Sequence, residues 1–252
     1  MQQVSLVAAA IFLPLFPLGM LFNAVFKRMR PAWLRALLLL TWPLAGIAVL
    51  QASNAIIPAW VTPWALFSAA LYGFRAVVIR EVGVWTGFLA TSAWALLWIA
   101  LTTGLEPRAL VIHALAFSLP LVLLVFMTAE LERRYESAYA GIVNGIAQAQ
   151  PRLAGVFVVT ILAVIGSPMF PSFFALLNNV MLAADVQPAA AFGIATVWLL
   201  WSWAGIRLLQ QLLVGPGTPS PHDDIGRGMT TVYGLSLLLL LFSGLYVSGR
   251  ML

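Results

Sequence analysis

LAGVFVVTILAVIGSPMFPSFFALLNNVMLAA, residues 153–184, contains no charged residue. It is longer than the roughly 20 residues that a helix needs to cross a bilayer. Its apolar residues are continuous rather than alternating, which favours a helix over a barrel strand. The run is interrupted by Gly166-Ser167-Pro168 and again by Pro171. A proline inside a helix removes one backbone hydrogen bond and clashes with the preceding turn. Two prolines three residues apart are therefore expected to unwind a short stretch. In lipid, such backbone persists only where other helices or a wet cavity satisfy it. The reading is one discontinuous crossing, 153–167 followed by 172–184.

Working outward, seven further apolar segments cover 4–26, 32–50, 58–79, 83–103, 109–130, 189–214 and 229–248. The expected fold is an all-α polytopic membrane bundle of about eight transmembrane helices. It forms a single membrane domain over 1–252, with four helices in 1–104 and four in 108–252. Composition agrees. The 252 residues are 62% hydrophobic and 8% charged, whereas a soluble domain is about 25% charged. Disorder, which needs low hydrophobicity and high charge, is excluded, and little length remains for a soluble catalytic domain. With no cysteine, thiolate chemistry and Cys-ligated metal centres are excluded. The two histidines, His113 and His222, are too few for a two-haem cytochrome with four axial histidines. The N-terminus lacks a basic n-region and its first apolar run is too long for an h-region, so no cleavable signal peptide is expected.

The net charge of +5 is placed beside the spans rather than in a nucleic-acid patch. With eight crossings, one side receives Lys27, Arg28, Arg30, Arg35, Arg75, Arg80, Arg133, Arg134, Arg152, Arg207 and Arg227, and the other Arg108 and Arg250. The positive-inside rule makes the first side cytoplasmic and both termini non-cytoplasmic. Counting 153–184 as two crossings weakens this bias only slightly. Between the last two segments, residues 215–224 (GPGTPSPHDD) have the composition of a flexible cytoplasmic loop.

A charge at the bilayer centre costs at least about 2.5–3.5 kcal/mol on insertion scales. No Lys, Asp or Glu lies near the middle of any segment, so the chain looks poorly equipped to translocate protons alone. The polar intramembrane candidates are few. Arg75 and Arg207 lie one and two turns inside their segments, where snorkelling to the headgroups competes with a pairing role. His113 is either an interhelical hydrogen-bonding partner or a titrating group. Asn178 and Asn179 either hold the broken helix together or line a wet pocket. Glu130, Glu132, Arg133 and Arg134 end the fifth segment as a salt-bridged terminus or a docking site. Of the ten Trp, Trp33, Trp60, Trp64 and Trp85 sit near segment ends as an aromatic belt requires. Trp94, Trp98, Trp198, Trp201 and Trp203 lie deeper and are expected between helices or subunits. Gly83–Gly87 and Gly141–Gly145 have small-xxx-small spacing, a weak packing signal. The sequence shows no phosphate loop, catalytic triad or metal-ligand cluster, and calls for no cofactor.

Several pieces then carry a resemblance in order. His113 opens a helix ending in Ala-Glu-Leu-Glu-Arg-Arg-Tyr (129–135). Pro-Arg-Leu-Ala-Gly-Val-Phe (151–157) leads into Ile-Gly-Ser-Pro-Met-Phe-Pro-Ser-Phe (165–173). Ile-Arg-Leu-Leu-Gln-Gln-Leu-Leu-Val-Gly-Pro (206–216) and Asp224-Ile225-Gly226-Arg227 follow. Residues 109–247 resemble the final crossings of the antiporter-like, proton-translocating membrane subunits of respiratory complex I, Mrp antiporters and membrane-bound hydrogenases. The membrane subunit of inorganic-carbon accumulation complexes is a relative of these. The first segment, ending at Lys27–Arg30, is similar to the family's opening helix. The resemblance implies both termini outside. It also implies a broken helix with a proton-path residue near Leu176, and central helices with buried lysines and a glutamate. Leu176 is not ionisable, and the central block is absent or replaced by segments 58–79 and 83–103. Only His113 keeps a proton-active position. The expectation is a shortened, non-pumping accessory subunit of a larger proton-coupled complex in the bacterial inner membrane. It would dock a full-length antiporter-like chain or a peripheral cytoplasmic protein, and lipid. The alternative is a stand-alone small transporter or proton/ion channel using the broken helix as its site. An enzyme is least favoured.

Overall fold

The computed structural model describes residues 2–53, 56–217 and 223–251. His222 and residues 218–222 of the 215–224 loop lie outside the described residues. The elements are α1 (Gln2–Phe12), α2 (Gly19–Arg28), α3 (Ala32–Ser53), α4 (Val61–Val78), α5 (Val82–Ala95), α6 (Leu97–Thr102), α7 (Pro107–Tyr135), α8 (Ile146–Ala149), α9 (Pro151–Val164), α10 (Pro171–Val186), α11 (Pro188–Leu213) and α12 (Arg227–Met251). Strands are absent among the described residues; two isolated bridges, Glu81 with Tyr139 and Ala140 with Val143, occur instead. The chain is an integral membrane bundle. Among the described residues, six helical stretches are long and apolar enough to cross a membrane, with α5 and α6 forming one of them. Shorter apolar helices form the broken crossings.

The apolar composition places side chains where they meet other helices or lipid. The α5–α6 crossing is the central post, with 83% of its most apolar stretch buried, while α12, at 22%, is peripheral. Small residues permit this: Gly83, Thr86, Gly87, Ala90, Ser92 and Ala93 line α5 and are buried, as close helix approach in lipid requires. α4 packs on α5 and α11, and α3 packs on α1 and α7, so one apolar core runs through both halves of the chain.

The long run is broken as its prolines require. α9 ends at Val164 and α10 begins with Pro171 at its first turn. Gly166 (φ +74°) and Met169 (φ +81°) take left-handed conformations between them. A contact at the helix ends decides how often this segment crosses. Asp224, just before α12, accepts hydrogen bonds from the N–H groups of Arg152 and Leu153 at the start of α9 (2.8 and 3.2 Å). The start of α9 and the start of α12 therefore lie at one end of the bundle. α11 spans once between them, so α9 and α10 together make one crossing.

One difference from the sequence expectation stands out. The first segment, 4–26, is also broken, between Phe12 and Gly19. Pro14 and Pro17 are three residues apart, like Pro168 and Pro171, and they act by the same mechanism.

Candidate functional site

Each break exposes carbonyls that a continuous helix would satisfy, and in lipid they need new donors. At the second break, the Ser172 hydroxyl donates to Ala163 O and the Trp198 indole to Ile165 O (3.1 Å). At the first break, Trp42 donates to Ile11 O (3.1 Å), Trp98 to Leu13 O (2.8 Å) and Trp64 to Phe16 O (2.8 Å), while Phe16 N–H donates to the Ser68 hydroxyl (2.9 Å). Four indoles thus fasten two interrupted helices. Sequence reasoning placed deep Trp only as packing. Trp64 was placed in an interfacial belt, yet it also serves as a cap. Trp85 is fully buried rather than at an interface, and Trp203 is 56% exposed, on the outside of the bundle. Trp94 and Trp201 do lie between helices, donating to the Ser118 and Ser92 hydroxyls (3.1 and 2.8 Å).

Gly166 is required where it stands: a Cβ there would lie 2.7 Å from Leu176 Cδ1 and the backbone is left-handed. Across from it, a Cβ at Gly244 would run into Met169 O, so α12 presses directly on the unwound stretch. Pro168 lies within that stretch and Pro171 ends it, at the first turn of α10.

Near the break, α7 and α10 bring two of the polar candidates together. His113 is fully buried, and its Nδ1 lies 2.8 Å from Ala109 O one turn earlier. The Asn178 side chain faces the ring, and Nε2 completes no hydrogen bond of regular geometry among the described residues. Asn179 is 1% exposed, and neither atom of its amide has a hydrogen-bond partner among the described residues. His113 and Asn178 thus form a polar contact enclosed by helices. His113 lies near the start of α7, in the half of the bundle away from the Asp224 contact.

The remaining candidates collect at the Asp224 end. Glu130 accepts from Arg133 (2.8 Å) and Arg134 (3.3 Å). Arg134 also donates to Asp223 O. Glu130 and Arg134 are buried, whereas the side chains of Arg133 and Glu132 are 56% and 40% exposed. Glu132 lies 3.8 Å from Arg35, whose Nε donates to Met29 O (2.6 Å). The linker after α7 reaches the α4–α5 junction through Val82 N–H to Ala138 O (3.0 Å) and Ala140 N–H to Arg80 O (2.8 Å). One end of the bundle is thereby tied by backbone and ion pairs. Arg75, exposed on α4, sits over the Phe88 ring at 5.2 Å. Arg207, half-buried on α11, takes part in no ion pair among the described residues. Neither arginine is a hydrogen-bond partner of His113. Among the described residues no group of three or more His, Cys, Asp or Glu is placed to hold a metal.

No protein-family model matches the sequence, and no curated protein is significantly similar to it. Solved structures are. A chain of the Mrp complex from Dietzia sp. DQ12-45-1b is 16% identical and superposes with a TM-score of 0.86, covering 99% of this chain and 57% of that one. A chain of respiratory complex I from Thermus thermophilus with bound NADH is 19% identical, with a TM-score of 0.81 over 97% of this chain and 54% of that one. A chain of the membrane-bound sulfane sulfur reductase, an archaeal respiratory membrane complex, is 14% identical, with a TM-score of 0.80 over 96% and 52%. This chain spans about half the length of the solved chains it matches. It shares the fold of the matched portions of chains from the Mrp, complex I and sulfane sulfur reductase assemblies.

Proposed function

We propose that this chain is an accessory membrane subunit of a larger proton-coupled complex, holding partner subunits in place rather than pumping by itself. The observation that carries this reading is a pairing of fold and chemistry. The fold is that of chains from respiratory and Mrp complexes. Yet among the described residues the deep parts of the spans hold one histidine, His113, and no lysine or carboxylate. A proton path through a bilayer needs a series of groups that exchange protons, and a single imidazole facing an amide does not make one.

The end carrying Lys27, Arg28, Arg30, Arg35, Arg75, Arg80, Arg133, Arg134, Arg152, Arg207 and Arg227 is proposed to be cytoplasmic by the positive-inside rule. This puts both termini outside, in a bacterial inner membrane. The partner in the membrane is a full-length antiporter-like chain. At the cytoplasmic end, Glu132 and Arg133 are the exposed members of the charged α7 terminus, and they form the contact for a peripheral protein. No cofactor is needed for this role.

Purification from native membranes in mild detergent tests the proposal. Stoichiometric recovery with a larger antiporter-like chain is expected. Recovery as a monodisperse homo-oligomer that alone carries protons or ions across liposomes overturns it. That outcome is the second reading, a small transporter. It draws on one observation, the buried polar residues His113, Asn178 and Asn179 near the broken helix, since broken helices mark binding sites in transporters. Replacing His113 by Gln separates the two further: proton-coupled activity of the assembled complex should stay nearly intact if the chain is a scaffold.

A further inference from the structure

Away from His113, α2, α4 and α5 enclose two adjoining cavities of about 330 and 170 Å³ that share Asn23, Arg75 and Phe88. At the mouth stand Lys27, in the last turn of α2, and Arg75, one turn from the end of α4. Neither is in an ion pair among the described residues, and no acid lines either cavity. Inward from the charges the walls are apolar, with Phe88, Leu71 and Met20. The Asn23 amide on the shared wall donates to Gly19 O and Thr91 Oγ1. The Tyr72 side chain lines the inner cavity and is 2% exposed, with its hydroxyl enclosed against α2. Tyr72 and Arg75 are three residues apart on α4, so they share a face. Gly19 leaves the space beside the phenol: a Cβ there would lie 2.5 Å from the hydroxyl oxygen.

Two cations without a counter-charge beside an apolar trough match a phospholipid read from headgroup to acyl chain. We propose that this groove binds one anionic phospholipid. Lys27 and Arg75 hold its phosphate, and one acyl chain lies along Leu71, Met20 and Phe88. The charge complementarity favours this occupant over a neutral lipid, because a basic pocket between spans at a helix-end level selects acidic headgroups. It also favours lipid over an apolar partner helix, which would leave both cations without a counter-charge.

Native mass spectrometry of the detergent-purified protein, titrated with phosphatidylglycerol or phosphatidylcholine, tests the site. The wild type should retain phosphatidylglycerol in preference to phosphatidylcholine. Lys27→Gln and Arg75→Gln should each weaken its binding about 5-fold, and the double variant about 30-fold. Arg227→Gln, a cation outside the groove, should leave binding unchanged. Leu71→Trp keeps both cations and fills the trough, so it should also lose the lipid. Equal binding by the double variant and by Arg227→Gln overturns the site. Displacement of the signal by millimolar inorganic phosphate overturns the lipid in favour of a free anion. Unchanged lipid with loss of a membrane partner from the double variant overturns it in favour of a protein interface.

Discussion

A single N–H can decide whether an interrupted helix survives in lipid. Trp198 places its indole on Ile165 O and its ring against Phe173 (5.5 Å between centroids). Trp198→Phe keeps an aromatic ring and removes only the donor. The freed carbonyl should cost about 1–2 kcal/mol, seen as a lower thermal midpoint in detergent. An unchanged midpoint would show that the break does not depend on this cap. The α7 terminus offers a second contrast. Glu130 is buried and accepts from the buried Arg134, so Glu130→Ala should destabilise by about 3–5 kcal/mol, because it removes one partner of a buried ion pair. Glu132 faces Arg35 at 3.8 Å with 40% of its side chain exposed, and Glu132→Ala should cost less than about 1 kcal/mol. Equal losses in denaturant titrations would contradict the difference in burial.

At the scale of the element, α9 begins with Pro151, and its early N–H groups have no local side-chain cap. Asp224 supplies the cap from a distant loop. Asp224→Ala should raise hydrogen exchange at residues 152–154 and cost about 0.5–2 kcal/mol, while Asp224→Asn should cost less. Exchange at α9 that ignores this substitution would mean the helix start is held by packing alone. The second break was legible in the sequence because Pro168 and Pro171 sit inside a run too long for one helix. The first was not read, since 4–26 has the length of an ordinary crossing and its prolines then appear tolerable. The caps were hidden for another reason. A Trp shows in sequence as bulk and apolarity, and the carbonyl it bonds is fixed only when helices from distant parts of the chain meet, as Trp98 and Leu13 do across 85 residues. His113 and the Asn178-Asn179 pair were visible as rare polar residues in apolar runs. That His113 faces Asn178 depends on how α7 packs on α10, which no periodicity reveals.

Across the whole molecule, the two halves of the sequence interlock rather than sit side by side. α3 lies on α7, α4 lies on α11, and Trp201 of α11 donates to Ser92 of α5, which donates to Ala69 O of α4 (2.7 Å). The turn joining the halves, around Gly104, has open space about it. Residues 1–104 and 105–252, co-expressed as separate chains, should therefore associate and purify together, as cuts at exposed turns permit. Independent migration of the two fragments on size exclusion would refute this shared core.

The Asp224 clasp also sets an order of manufacture. Seventy-two residues separate Arg152 from the carboxylate that caps it, so α9 leaves the ribosome long before its cap has been synthesised. The nascent α9–α10 crossing must enter the membrane with its start unfastened. It closes only when α12 is threaded and brings Asp224 alongside. The loop before α12 is thus the latch for a helix made much earlier, and a chain released before residue 224 would lack the latch however well α1 to α11 had inserted.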